Sequence, residues 1–316
     1  MKLVVTDQAF GNTRHEQAIA EQAGAIFSEF QCRTEEETAA AVKDANVIIN
    51  NFAPMTHRVM QNMASGAIII RYGVGVDNVD LSAAKQLGIR VCNVPDYGIE
   101  EVADHASAMT LMLARKLNRY DKGIRSGEWK IDRMVDGVRS LRNTTVGLIG
   151  LGRIARAYAS RMAAFGCNII GYDPFVSESQ AKDAGITLMS QDQVISNSNV
   201  LSLHVPLIPE TRHLINADTL KRMPKSSILI NCSRGGLIDE DALAEALISE
   251  HISGAGLDVF EQEPLPSKSS LYAAPNLIMS PHAAFFSDTS VDTLQRLASE
   301  EALRGLRGET LRCPII

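Results

Sequence analysis

Three stretches of this 316-residue chain run apolar and then turn abruptly polar. They are Asn231-Cys232-Ser233-Arg234-Gly235-Gly236, Leu257-Asp258-Val259-Phe260-Glu261-Gln262-Glu263-Pro264 and Ser280-Pro281-His282-Ala283-Ala284. In an open α/β sheet, ligands lie beyond the carboxyl ends of the strands, so Arg234, Glu263 and His282 can converge on one cleft. A guanidinium fork can contact a carboxylate and a neighbouring carbonyl oxygen together. An imidazole gives or takes a proton near neutrality. A carboxylate beside it fixes the ring and favours its charged form. Reduction of a 2-oxo acid by hydride needs all three. Taken singly, each has a plainer reading. A lone Arg after a strand is usually a surface ion pair, and a lone His before a helix is often a cap or a packed core residue.

A hydride donor needs a site of its own, and one lies upstream. Val146-Gly147-Leu148-Ile149-Gly150-Leu151-Gly152-Arg153-Ile154-Ala155 is an apolar strand entering G-x-G-x-x-A and then a helix. Gly150 allows the tight turn, Gly152 lets backbone approach a pyrophosphate, and Ala155 keeps the helix near the sheet. The helix N-terminus offers free N–H groups and a positive dipole end to the phosphates. The motif is weak alone, but the next strand ends in Gly171-Tyr172-Asp173-Pro174. Asp173 lies about 20 residues on, where an acid meets the adenine ribose hydroxyls. A carboxylate there repels a 2′-phosphate, and Arg153 more naturally lies over the pyrophosphate, so NAD is favoured over NADP.

The elements that must position these groups alternate. Apolar runs at residues 2–6, 25–30, 46–50, 67–72 and 90–94 are separated by helical patterns at 15–23, 34–42 and 81–87. This predicts a parallel, doubly wound sheet. Residues 99–117 read as one helix, with Val102, Ala106, Met109, Leu113 and Leu117 at helical spacing. Residues 120–142, charged and irregular around Trp129, read as a dimer arm. A second alternating set has strands at 145–149, 167–172, 200–205, 228–231, 254–259 and 277–280, and helices at 153–165 and 240–250. The last helix, 288–306, follows the completed second sheet and belongs back on the first. The predicted fold is therefore α/β with two doubly wound parallel-sheet domains. A flavodoxin-like substrate domain (1–98 and 286–316) is discontinuous around a Rossmann dinucleotide domain (99–285).

Composition narrows the class. With 45% apolar and 22% charged residues, the chain has a soluble globular composition. A net charge of −6 without basic blocks disfavours nucleic acid and anionic membrane as partners. No apolar run is long enough to span a bilayer. Cys32, Cys92, Cys167, Cys232 and Cys313 are odd in number and far apart. They suggest neither a disulfide framework nor a metal site, and a reducing cytoplasm is expected.

At the catalytic segments the sequence resembles the D-isomer-specific 2-hydroxyacid dehydrogenase family. The likeness runs over nearly the whole chain and includes Tyr72-Gly73-Val74-Gly75-Val76-Asp77-Asn78, Glu101-Val102-Ala103-Asp104-His105 and His204-Val205-Pro206-Leu207. Val91-Cys92-Asn93-Val94-Pro95 and Pro281-His282-Ala283-Ala284-Phe285-Phe286-Ser287 point toward the C-terminal-binding-protein-like branch. The resemblance implies that Arg234 holds the substrate, His282 is the acid/base and Glu263 its partner. Val74 and Gly75 would offer backbone N–H groups to the substrate carboxylate. Gly150, Gly152, Arg153, Ile154 and Asp173 would hold the dinucleotide. Asp258 would meet the nicotinamide carboxamide, with His204, Val205, Pro206, Cys232, Ser233 and His282 lining the cofactor. Phe285 stands where the corepressor members have tryptophan and would reach the substrate wall, while Phe286 would pack the last helix onto the sheet. Ile208 stands where many members have threonine. A homodimer through the dinucleotide domain is expected.

Other readings stay open. One is an NAD(H)-sensing interaction protein like the corepressor relatives. Another is a phosphoglycerate dehydrogenase, disfavoured by the lack of a dedicated basic cluster, although Arg58, Arg71 and Arg139 are unplaced. Little chain follows the last helix to form an appended regulatory domain. An L-specific dehydrogenase would be expected to carry its glycine turn near the N-terminus. His15, His57, His213 and His251 read as surface or structural residues without partner sets, and His105 as packing between domains.

Overall fold

The computed structural model describes residues 1–129, 138 and 140–316. Its elements begin with β1 (Lys2–Val5), α1 (Arg14–Gln22), β2 (Ile26–Glu29), α2 (Glu35–Ala41), β3 (Val47–Asn50), α3 (His57–Met60), β4 (Ile68–Arg71), α4 (Leu81–Gln86) and β5 (Arg90–Cys92). Next come α5 (Ile99–Ala114), α6 (Leu117–Arg125), β6 (Thr145–Ile149), α7 (Arg153–Ala164), β7 (Asn168–Tyr172), α8 (Glu178–Asp183), β8 (Thr187–Leu188) and α9 (Gln191–Asn197). Then follow β9 (Val200–Leu203), α10 (Ala217–Arg222), β10 (Ile228–Asn231), α11 (Glu240–Ile248), β11 (Gly254–Leu257), β12 (Leu277–Met279) and α12 (Asp288–Arg307). The chain divides into two compact units, Met1–Gly98 with Phe286–Ile316, and Ile99–Phe285.

The first unit holds a parallel sheet in the order β2-β1-β3-β4-β5, the flavodoxin-like winding. Successive side chains of a strand point to opposite faces. Leu3, Val5, Val47, Ile49, Ile68 and Ile70 therefore share one core with Leu294, Ala298, Ala302 and Leu306 of α12. Val4, Ile48, Ile69 and Val91 face the other way, toward Val59, Met60, Ala83 and Ala84. Both faces are covered, which is why these strands read as unbroken apolar runs. Burying one such leucine stabilises the fold by roughly 1.5–3 kcal/mol. A Ser287–Ser290 capping box starts α12, and Gly308 ends it at φ +71. The tail lies along β5, with the N–H of Ile315 donating to the Val91 carbonyl at 2.8 Å.

The second unit holds seven parallel strands in the order β12-β11-β10-β9-β6-β7-β8. The winding reverses between β6 and β9, the place where such sheets open a ligand crevice. Helix α5 supplies Ala103, Ala106, Met109 and Leu113 to the core with Tyr158 and Met162 of α7. It ends earlier than its periodicity predicts. Lys116 adopts φ +52, and a separate helix α6 starts at Leu117. A left-handed residue breaks the helical ladder whatever the pattern around it. The segment read as an irregular arm is thus helical at its start, and its residues 130–137 and 139 lie outside the described residues.

The strand β8 and the helices α3, α8, α9 and α10 have no counterpart in the sequence reading. Two of them were signalled. Ser177 with Gln180 and Ser190 with Gln193 form capping boxes that open α8 and α9, a pattern readable from sequence. Among the described residues, no helix is long and apolar enough to cross a membrane, and no group of three or more His, Cys, Asp or Glu is placed to hold a metal ion.

Candidate active site

The glycine turn stands at the β6/β9 reversal. Gly150 has φ +91, and a Cβ there would lie 2.6 Å from the His204 carbonyl oxygen. Only glycine fits that approach between the β6 and β9 loops. Gly152 begins α7 without a side-chain cap, and nothing lies within 4 Å of where its Cβ would be. The first turn of α7 thus presents backbone N–H groups over an open face, while Ala155 is fully buried beneath. Arg153 is exposed and Ile154 half-buried at this turn. A diphosphate fits this cradle.

Asp173 follows β7 and ties the turn together. One carboxylate oxygen accepts the N–H of Leu151 at 2.9 Å and the other that of Phe175 at 2.9 Å. Each oxygen keeps a second lone pair, so a ribose diol can still be accepted. The Asp173→Ala variant is expected to lose NADH affinity and to narrow the preference over NADPH. Paired kcat/KM values for the two cofactors check this, and a wild-type preference for NADPH would sink it.

The β9 and β10 loops line the same edge. The His204 ring contacts the Ser202 hydroxyl at 2.9 Å and lies 5.6 Å from the Tyr158 ring. Desolvation holds its pKa down to about 4, so it is neutral near pH 7 and unsuited to be the acid. Val205 is half-buried and Pro206 exposed. The Thr211 hydroxyl donates to the Pro206 carbonyl at 2.7 Å and accepts the N–H of Ile208 at 2.9 Å. Burial pushes the Cys232 thiol up, making it a small neutral wall group. The Ser233 hydroxyl donates to the Leu203 carbonyl at 2.9 Å.

Arg234 follows at the end of the β10 loop. Asn231 shapes that loop by donating to the Arg234 carbonyl at 2.8 Å and accepting the N–H of Ser233 at 3.0 Å. Gly235 then passes so near the next loop that a Cβ would meet the Phe260 carbonyl carbon at 1.8 Å. This contact locks the Arg234 loop onto the loop that carries Glu263. Nδ1 of His282 lies 2.7 Å from one Glu263 oxygen, and the other oxygen accepts the N–H of Phe260 at 3.0 Å. Burial pushes the Glu263 carboxyl up, but the hydrogen bond and charge of His282, the Phe260 N–H and the Arg234 charge outweigh it. The carboxyl is held below its ordinary range, so Nδ1 is the donor. With Nδ1 committed to Glu263, Nε2 of His282 is the nitrogen that would exchange a proton with a ligand.

Asp258 is 1% exposed, and its oxygens face the His282 loop. One accepts the Ser280 hydroxyl at 2.5 Å and the N–H of Ala283 at 2.8 Å, the other the N–H of Ala284 at 2.8 Å. His105 reaches the same network from α5, with Nε2 2.9 Å from the Ser280 oxygen. Both partners, Ser280 and Asp258, lie within the unit that holds His105. Ser280, Asn231 and Gly235 were overlooked as parts of the site. Gly235 had the one readable signal, a Gly-Gly pair in the loop after a strand.

In the first unit, Val74 and Gly75 sit in the loop after β4. Val74 is exposed and its carbonyl accepts from the Asn93 side chain at 2.6 Å. Tyr72, next to this loop, donates to buried Glu16 at 2.5 Å. Asn78 at its far end donates to the Asn51 and Ala53 carbonyls. Of the unplaced arginines, Arg58 pairs with Glu35 and Glu36. Arg71 lies over the Phe52 ring at 5.6 Å, and Arg139 is outside the described residues. Phe285 is half-buried, whereas Phe286, expected to pack the last helix, is 62% exposed. The reading of partnerless histidines also needs correction. His15 pairs with Asp292, His213 with Glu261, and the His251 ring contacts the Leu220 and Met223 carbonyls.

An uncapped glycine turn at the reversal point of a Rossmann sheet, followed by a strand-end carboxylate, defines a nucleotide-binding α/β protein. Residues 107–284 match the D-isomer specific 2-hydroxyacid dehydrogenase family, NAD binding domain. The chain is 37% identical over 313 residues to D-3-phosphoglycerate dehydrogenase of Methanocaldococcus jannaschii, covering 98% of this chain and 58% of that protein. It is 36% identical over 272 residues to glyoxylate reductase of Korarchaeum cryptofilum, covering 85% and 82%. Among solved structures, the TT0316 protein of Thermus thermophilus superposes with a TM-score of 0.89 at 32% identity, covering all of both chains. D-lactate dehydrogenase of Aquifex aeolicus, complexed with NAD and lactic acid, gives 0.85 at 28% identity, covering 98% and 96%. The chain belongs to the D-isomer-specific 2-hydroxyacid dehydrogenase family. It spans 58% of the length of the Methanocaldococcus relative.

Proposed function

We propose that this protein interconverts a D-2-hydroxy acid and its 2-oxo acid with NAD(H). The observation that carries the reading is the Glu263–His282 contact of 2.7 Å, with Arg234 locked beside it through Gly235 at the carboxyl edge of the cofactor-binding sheet. The bound nicotinamide supplies hydride chemistry. Arg234 grips the substrate carboxylate and polarises its carbonyl, and Nε2 of His282 delivers the proton to the developing alkoxide. Glu263 holds the ring and stabilises its charged form. Val74 and Gly75 offer backbone N–H groups to the carboxylate, so Met1–Gly98 with Phe286–Ile316 is the substrate domain and Ile99–Phe285 the dinucleotide domain. An NADH-oxidation screen over glyoxylate, hydroxypyruvate, pyruvate, phosphohydroxypyruvate and longer 2-oxo acids tests the reading, and no turnover with any of them would overturn it.

The substrate is narrowed at Phe285. An apolar ring on the wall favours 2-oxo acids with apolar side chains. Phe285→Ala is expected to change the kcat/KM ratio between glyoxylate and a longer 2-oxo acid by roughly 10-fold or more, the worth of a methylene-sized contact upward. A fixed ratio with lowered thermal stability would make Phe285 a core residue. Phosphoglycerate dehydrogenase is the second reading, favoured by the name of the Methanocaldococcus relative and by Arg71 at the end of β4. The C-terminal-binding-protein-like branch rests on residues 91–95 and 281–287. A homodimer through the dinucleotide domain is supported by Met112, Leu117 and Ile124, apolar and exposed along α5 and α6. A reducing cytoplasm is supported by five free cysteines.

A further inference from the structure

We propose that His105 and Ser280 are positioning residues for His282, acting through Asp258. The inference rests on the assignment of His282 as the acid/base above. His282 has φ +52, a left-handed conformation that costs a non-glycine residue energy unless its surroundings impose it. What imposes it is Asp258. Its own carbonyl accepts the N–H of His282 at 2.7 Å, and its carboxylate accepts the next two N–H groups, of Ala283 and Ala284. Three consecutive amides are thus held by one residue, and the direction of the His282 side chain follows from that hold.

The Asp258 carboxylate is almost fully buried and must itself be kept oriented. Ser280 donates its only hydroxyl proton to Asp258. The Ser280 oxygen can then only accept from His105, so Nε2 of His105 carries a proton in this contact. The same nitrogen is 3.8 Å from the Asp258 oxygen. The result is a chain of donors running from His105 through Ser280 to Asp258, each bond polarising the next. His105 stands on α5, a helix anchored in the core of its unit by the fully buried Ala103 and Ala106 on either side. A rigid helix thereby fixes a loop residue about 175 positions away in sequence.

Four variants test this. In Ser280→Ala and His105→Leu, kcat for 2-oxo acid reduction is expected to fall about 10- to 100-fold, the cost of misplacing a reacting group. KM and NADH affinity should stay within about threefold, since both side chains act on the backbone of the His282 loop through Asp258. Ser280→Thr and His105→Gln each keep a donor and should restore kcat to within about threefold of wild type. Amide hydrogen exchange of the peptide covering residues 280–285 gives a readout independent of turnover. It should speed up about tenfold in the two disruptive variants and not in the two conservative ones. Wild-type exchange in Ser280→Ala overturns the proposal, as does an equal loss of kcat in all four variants. If wild type reduces none of the 2-oxo acids, the dehydrogenase reading falls and the exchange rates alone decide the positioning role.

Discussion

Arg234→Lys is expected to lose roughly 10²–10³-fold in kcat/KM for 2-oxo acid reduction, the scale of removing one preorganised donor from a developing oxyanion. NADH affinity should change by no more than about threefold. The charge is conserved in this variant, so a site needing only a cation would tolerate it. A planar fork contacting two oxygens at once cannot be reproduced by a point-like ammonium. The loop keeps the Asn231 hold on the Arg234 backbone carbonyl, while the side chain's own donation to the Ser233 carbonyl at 2.7 Å is lost or weakened. Stopped turnover with retained NADH fluorescence quenching is the expected pair of results. Turnover within about threefold of wild type would remove Arg234 from the reaction.

Glu263→Gln should change how the rate depends on pH. The Glu263 carboxyl is held below its ordinary value, so it is ionised across the neutral range and keeps a negative charge beside the ring. Reduction needs the imidazolium and therefore falls as pH rises and the ring loses its proton. With glutamine the hydrogen-bond geometry is kept and the charge is lost, so the fall begins at lower pH. The oxidative direction needs the neutral ring, so its rise should also begin at lower pH. Reduction at pH 8 is expected to drop by about tenfold, a part of the roughly 10²–10⁴ that acid–base catalysis supplies, with a smaller loss at about pH 6. Profiles in both directions from pH 5 to 9 check this. Superimposable profiles would show that the pair does not titrate together.

The two sheets were legible because fully covered parallel strands are unbroken apolar runs. The strand at residues 145–149 was read with the bounds the structure gives it. Residues 200–205 were read too long, because Val205 stays apolar after the ladder ends at Leu203. Short helices such as Ala217–Arg222 escaped, since six residues hold less than two turns of pattern. Of the candidate site, Arg234, Glu263 and His282 are legible as polar breaks after apolar strands. The supporting groups are not. Ser280 and His105 are ordinary residue types whose meaning comes from a contact across the fold. The φ of His282 cannot be seen in a sequence that places no glycine there.

The discontinuity of the first unit has a consequence for how the protein is made. Its first 98 residues emerge from the ribosome carrying all five strands of their sheet, but one face of that sheet is covered by α12. Between them lies the whole second unit, residues 99–285. At roughly 5–20 residues per second, that delay lasts on the order of ten to forty seconds. During this time Leu3, Val5, Val47, Ile49, Ile68 and Ile70 await Leu294, Ala298, Ala302 and Leu306. The second unit is encoded in one uninterrupted run and can complete its core first. The newborn chain therefore passes through a period in which the cofactor half is finished and the other half still shows an apolar face, which is when a holding chaperone would have something to grip.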